Sequence, residues 1–207
     1  MPHRSLYAAV LALALFLPQG AAADVNDSLT RGDYSAALAE ARPLAEAGDP
    51  NAQAVMGLLY RDGLGVAQDY AQAAQWFEAS AEQGQAGAQY NLGELYRRGA
   101  GVPQDDRQAA YWHWQAAEQN HASARFVLGY LYFEGRGVEP DGARALALIR
   151  SAAEQSVAEA QFVMGRLYAT GTLVPRDEDA AIRWFRAAEA QGYPQARGLA
   201  DELEKTQ

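Results

Sequence analysis

From Ala52 onward, apolar and polar positions alternate with a helical period, and the alternation itself returns. Ala52, Met56, Leu59 and Tyr60 stand at i, i+4, i+7 and i+8, one stripe of an amphipathic helix. The stripe predicts a helix from near Asn51 to Tyr60–Asp62. It stops at Gly-Leu-Gly-Val (63–66), where two glycines mark a turn needing positive φ. A second helix is predicted from Asp69, whose short carboxylate suits an N-cap, to Gly84, a residue suited to the left-handed position after a helix. The 36-residue block 52–87 then repeats from Ala88, Ala124 and Ala160, equally spaced and without insertion.

What recurs in phase is informative. The N-cap aspartate returns as Asp105, Asp141 and Asp177, and the closing residue as Asn120, Ser156 and Gly192, of which Ser156 is the least suited to that conformation. Gly57, Gly93, Gly129 and Gly165 sit inside the first helix of each block. A glycine there costs about 1 kcal/mol against alanine, so a close helix approach is predicted at each. Ala73, Ala109, Ala145 and Ala181 are the matching small residues of the second helix. Trp76, Trp112, Leu148 and Trp184 are expected to supply its bulk.

A fixed period of this length is the signature of a solenoid, whose units bury their apolar faces on one another. The predicted organisation is one elongated all-α domain of four helix-turn-helix repeats over 52–195 (52–87, 88–123, 124–159 and 160–195). Residues 24–51 read as an N-terminal cap. Asp33-Tyr34 stands 36 positions before Asp69-Tyr70, so 33–48 is a second helix without its first, preceded by a short covering helix over 24–31. Asp33 is its expected N-cap, and Pro43 is expected to kink or divide it. A closing helix is predicted from Ala196 within 196–207, with Asp201, Glu202, Glu204 and Lys205 as the polar outer face that a terminal unit requires.

The in-phase pattern A-Q-x-x-[LM]-G-x-[LM]-Y-x-x-G-x-G-V-x-x-D-x-x-x-A-x-x-W-F-x-x-A-A-E-Q-G resembles the Sel1-like repeat, a relative of the tetratricopeptide repeat that is two residues longer. The resemblance implies a right-handed α-solenoid acting as an adaptor or scaffold between proteins, often in bacterial export and envelope signalling. Three departures stand out. Leu173 replaces the second turn glycine, Leu148-Ile149 replace Trp-Phe in the third unit, and the cysteine pairs of some secreted members are missing.

Residues 1–23 read as a cleaved signal peptide: His3 and Arg4, an apolar run of twelve from Leu6 to Leu17, then Pro18, Gly20 and the small residues Ala21–Ala23. Twelve helical residues rise only about 18 Å against a hydrocarbon core of about 30 Å, which disfavours a membrane anchor. The expected product is a periplasmic or secreted chain starting at Asp24, soluble and without a membrane anchor once cleaved. With no cysteine, a disulfide framework and thiolate chemistry are excluded. A net charge of −9 argues against general nucleic-acid binding.

Candidate chemistry is sparse. The glycines of the GLGV and GAGV turns lie between two helices rather than after a strand, so they do not form a phosphate-binding loop. His113 and His121 are poorly placed as a metal pair, and no cofactor is expected. Glu82, Glu118 and Glu154 recur in step, as surface or capping residues do. The run Tyr111-Trp112-His113-Trp114 is the one irregularity. Its histidine takes the place of Phe77, Ile149 and Phe185, a packing position, and the alternative is a cluster contacting cell-wall fragments together with Glu118.

The stripe of each first helix opposite its core holds Ala54, Leu58 and Arg61, then Tyr90, Glu94 and Arg97, then Phe126, Tyr130 and Phe133, then Phe162, Arg166 and Ala169. By the resemblance, such positions line a concave groove. Aromatic residues and arginine are the types enriched at binding hot spots, so Tyr90, Glu94, Arg97, Arg98, Phe126, Tyr130, Phe133, Phe162 and Arg166 form the candidate groove for a protein or peptide of the cell envelope. Two alternatives stay open here: the same rings are packed core, or the module associates with itself through its ends. The reading is of a non-enzymatic scaffold.

Overall fold

The structure is a computed structural model that describes residues 21–205. The segment read as a signal peptide lies, up to residue 20, outside the described residues. Among the described residues there are eleven α-helices and no strand: α1 (Ala21–Arg31), α2 (Tyr34–Glu46), α3 (Pro50–Asp62), α4 (Tyr70–Glu82), α5 (Ala86–Arg98), α6 (Asp106–Glu118), α7 (Ala122–Glu134), α8 (Gly142–Glu154), α9 (Ala158–Thr170), α10 (Glu178–Ala190) and α11 (Leu199–Glu204). They form two compact units, divided between Ala116 and Ala117.

The helices start where the capping chemistry allows. Asp69 Oδ1 accepts from the backbone N–H groups of Ala71 and Gln72, and Asp105 and Asp141 repeat the arrangement. Asp177 accepts from Ala180. The backbone N–H of each capping aspartate also donates to a tyrosine carbonyl in the last turn of the preceding helix, Asp69 to Tyr60, Asp105 to Tyr96, Asp141 to Tyr132 and Asp177 to Tyr168, at 2.9–3.0 Å. One residue thus starts the second helix and closes the hairpin. The second helices end as predicted, with Asn120 and Ser156 at φ 64° and 65° where the other repeats have glycine.

Between the paired helices the decisive contact is glycine against bulk. A Cβ added at Gly57 would lie 2.5 Å from the Phe77 ring, and one at Gly165 would lie 2.6 Å from the Phe185 ring. Gly93 meets His113 and Gly129 meets Ile149 in the same way. The large buried residue of the second helix is therefore not the tryptophan position but the one after it. Phe77, His113, Ile149 and Phe185 are buried, whereas Trp76 and Trp184 are only half-covered. A helix surface has room for one bulky residue directly over the glycine notch, and the tryptophans, one position round the helix, fall beside it. Ala73, Ala109, Ala145 and Ala181 are fully buried, as their recurrence implies.

Three local expectations change. Pro43 does not divide α2, which runs unbroken to Glu46. The proline lies in the last turn, where one lost donor is tolerated, and its own carbonyl still accepts from Ala47 N–H at 3.0 Å. The closing helix begins at Leu199 rather than Ala196. Pro194–Ala196 form a 3-10 turn, and Gly198 at φ 81° separates it from α11. Leu173 keeps the turn despite replacing glycine, adopting φ 61°. Its side chain reaches the space over Gly142, where a Cβ would meet Leu173 Cδ2 at 2.8 Å. In the first unit the geometry is the reverse: Gly65 lies against the backbone of Tyr34 and Gly101 against that of Tyr70. The side chain that one turn gains, the helix start beneath it gives up.

The glycine notch sets a measurable expectation. Gly57→Ala gains about 1 kcal/mol of helix propensity but overpacks a rigid ring, at a cost of about 1–3 kcal/mol. Net destabilisation by about 1 kcal/mol is expected in urea denaturation, while Gln75→Gly on the exposed side of α4 loses only the propensity term.

Candidate functional site

The candidate residues of the first unit form a polar cluster on α3 and α5. Arg97 grips Glu94 with two parallel hydrogen bonds, Nε to Oε1 at 2.9 Å and Nη2 to Oε2 at 2.8 Å, and Arg98 Nη2 lies 3.0 Å from the same carboxylate. From the core side, His113 Nε2 stands 3.5 Å from Glu94 Oε1, too long for a good hydrogen bond. Burial opposes ionisation of Glu94, yet His113 and the Arg97 fork outweigh it and hold the carboxyl well below its usual range. Arg97 is reciprocally raised, first by its hydrogen bonds to Glu94. Tyr90 leans its ring on His113, with centroids 5.5 Å apart. Arg61 is likewise occupied, paired with Asp62 and donating to Asn91. These groups border a polar hollow of about 570 Å³ whose wall includes Arg61, Tyr90, Glu94 and Arg98. The earlier positions of the same stripe, Ala54 and Leu58, are buried core.

The second unit differs in kind. Tyr130 and Phe133 on α7 are 43% and 44% exposed, unusual for large rings, with centroids 6.4 Å apart. They border an apolar cleft of about 250 Å³ floored by Ile149, Val163 and Leu167, with Arg166, Thr170 and Thr172 on its α9 side. The Glu134 carboxylate, helped by partial burial, pushes the Tyr130 phenol up, so it remains a donor. Phe126 and Phe162 belong elsewhere. Phe126 packs against the core of Ile149, Ala152 and Met164, and Phe162 makes tilted ring contacts with Phe185 and Tyr193, at 5.9 and 5.1 Å between centroids. The stripe of aromatics is thus split between exposed rings and packed ones.

His113 is fully buried, with both ring nitrogens lacking a hydrogen-bond partner, and Trp112 is buried beside it. Tyr111 and Trp114 point outward. The Tyr111–Trp114 run is therefore not one ligand-facing cluster, and His113 cannot touch a solute. Among the described residues no group of three or more His, Cys, Asp or Glu could hold a metal ion.

Sequence reasoning missed the cleft floor, because Ile149 belongs to a second helix and Val163 to the flank of the stripe. It also passed over the recurring glutamine. Gln53, Gln89 and Gln161 each donate to a carbonyl in the last turn of the second helix before them, Ala45, Ala81 and Ala153, at 3.1–3.2 Å, and Arg125 does the same to Ala117. The signal was present in the repeated Ala-Gln pair, with Ala-Arg as its one exception.

The Sel1 repeat profile matches residues 50–85, 86–121, 122–157 and 158–193. A Sel1 repeat protein from Oxalobacter formigenes is 34% identical, with a TM-score of 0.79 over 86% of this chain and 71% of its own. The protective antigen c5321 of uropathogenic Escherichia coli, which displays an SLR fold, is 26% identical with a TM-score of 0.74. The match takes in 96% of this chain but only 48% of the antigen, so the chain spans about half that protein's length. A Sel1 repeat protein from Klebsiella pneumoniae, 21% identical with a TM-score of 0.55 over 98% of this chain and 97% of its own, shares the fold. No curated protein matches.

Two outcomes test the polar cluster. His113→Phe places in the second repeat the residue that packs over glycine in the first and fourth. It removes two unpartnered buried nitrogens, and a gain of about 1 kcal/mol in urea denaturation is expected. Glu94→Gln should cost about 1–2 kcal/mol at neutral pH. Because the folded carboxyl titrates below its unfolded value, its contribution is complete above about pH 4.3 and fades as pH falls further. Wild type and variant should therefore converge in acid, as read from melting curves at a series of pH values.

Proposed function

The chain belongs to the Sel1 repeat family, all-α solenoids of helix-turn-helix units whose members generally mediate protein–protein interaction, and from that premise we propose that it is an exported, non-enzymatic adaptor that binds a protein or extended peptide on the outward face of its first helices. The observation that carries this reading is the pair Tyr130 and Phe133: exposed rings beside an apolar cleft, on a fold able to bury large rings, as it does Phe77 and Phe185. Exposed aromatics next to arginine are the composition of an interface centre. Export rests on the leader-like residues 1–23 and would put the adaptor in the periplasm or outside the cell. The family's usual role as a scaffold supports the absence of catalysis.

A surface double variant separates binding from folding. Tyr130→Ala with Phe133→Ala should reduce partner capture from envelope extracts at least about tenfold, the order expected when two hot-spot rings are truncated. Helicity by circular dichroism and the melting temperature should stay close to wild type. Unchanged capture would remove this face from the binding role.

A further inference from the structure

The arginines on the outward faces differ in what they already hold. Arg61 is tied to Asp62 and Asn91, while Arg97 and Arg98 share Glu94. Arg166 is exposed, and among the described residues no side chain hydrogen-bonds or ion-pairs with its guanidinium. It alone of these keeps its planar fork of donors open, and it does so on the wall of an apolar cleft. Thr170 and Thr172, on the same wall, satisfy each other at 2.8 Å, and Thr170 also donates to the Arg166 carbonyl. Glu134, near Tyr130, does not line the cleft and faces Arg136 at 3.6 Å.

We propose that this cleft takes the C-terminal residue of an extended peptide, with an apolar side chain between Tyr130, Phe133 and the Val163–Leu167 floor and its α-carboxylate on Arg166. This rests on the peptide-binding function above and specifies the ligand's chemistry. About 250 Å³ falls below the usual size of a small-molecule pocket and suits a single bulky side chain. An arginine fork beside that space matches a carboxylate's two oxygens. The terminal carboxylate fits better than an acidic side chain for a geometric reason. Along an extended chain neighbouring side chains point to opposite sides, so an aspartate next to the buried residue faces away from Arg166. A terminal carboxylate is bonded to the same Cα as the side chain in the cleft. The net charge of −9 gives no long-range attraction for acidic peptides, so selectivity has to come from this local contact.

The test uses the purified protein and three fluorescein-labelled peptides in polarisation titrations: Gly-Ser-Gly-Ser-Ala-Leu as the free acid, the same peptide as its C-terminal amide, and Gly-Ser-Ala-Leu-Asp-Gly as an amide. The free acid should bind about tenfold or more tightly than either amide, the order of a charge-assisted pair. Arg166→Gln should abolish that preference with circular dichroism unchanged, and Arg166→Lys should keep part of it. Equal binding of acid and amide, equal binding of the internal aspartate peptide, or a preference that survives Arg166→Gln each overturns the carboxylate assignment. If such binding is nonetheless lost in the Tyr130→Ala, Phe133→Ala protein, the groove function stands without it. Absence of binding by all three peptides also overturns the assignment, and the groove function is then decided by the capture experiment alone.

Discussion

Everything in each repeat depends on one close approach, that of a first helix to a second across a glycine. Gly57, Gly93, Gly129 and Gly165 leave a notch, and the notch is filled by a single bulky group one helix away. The propensity lost by placing glycine mid-helix, about 1 kcal/mol, is offset by burying a ring or branched chain worth about 1.5–3 kcal/mol. Hydrogen bonds then hold the approach in register. The capping aspartates tie the hairpin at its turn, and Gln53, Gln89, Gln161 and Arg125 tie each first helix to the end of the second helix before it. Because these recurring ties engage the core side or the ends of a helix, none of them fixes the residues on the opposite face of the first helix.

That freedom explains why the outward stripe differs so much between repeats. In the first repeat Ala54 and Leu58 are simply buried. In the second the stripe carries Glu94, whose charge is fully used by Arg97, Arg98 and the neighbouring His113. In the third and fourth it carries Tyr130, Phe133 and Arg166, none of which the fold requires where it stands. A cluster whose charges satisfy one another reads as structure. Exposed rings and an unpaired guanidinium read as a surface kept for something else.

Much of this was legible in the sequence, and the reasons are specific. The capping aspartates, the left-handed positions at Asn120 and Ser156 and the notch glycines were readable because each is dictated by backbone geometry, which repeats with the period. Side-chain direction was less readable. A one-residue offset decided that Phe77 rather than Trp76 fills the notch, and spacing alone cannot assign a ring at the edge of a stripe. For the same reason Phe126 and Phe162 pack inward although they lie on the stripe that the pattern sets opposite the core. The pairing of Leu173 with Gly142 was invisible along the chain, since it joins a turn to a helix start 31 residues earlier.

His113 shows how a repeat can absorb a polar residue and still bias its surface. The imidazole occupies a slot shaped for phenylalanine, and its nitrogens find no hydrogen bond there, a burial that costs rather than stabilises. What the slot gains is a polar atom 3.5 Å beneath Glu94, on the inner side of a carboxylate whose outer side holds two arginines. With Glu94 shared by Arg97 and Arg98 and Arg61 held by Asp62, the charges around the first unit's hollow are already paired with one another. The second unit has Ile149 in the same slot and no acid at the position of Glu94, which is Tyr130 there. Among the described residues nothing on that face then pairs with the guanidinium of Arg166, whose position in its own repeat is again that of Glu94. The same register position therefore serves as a charge sink in one repeat, an exposed ring in the next and an open cation in the last, and it is this divergence at one site of a recurring frame that leaves the second unit with an exposed ring and an open guanidinium beside an apolar cleft.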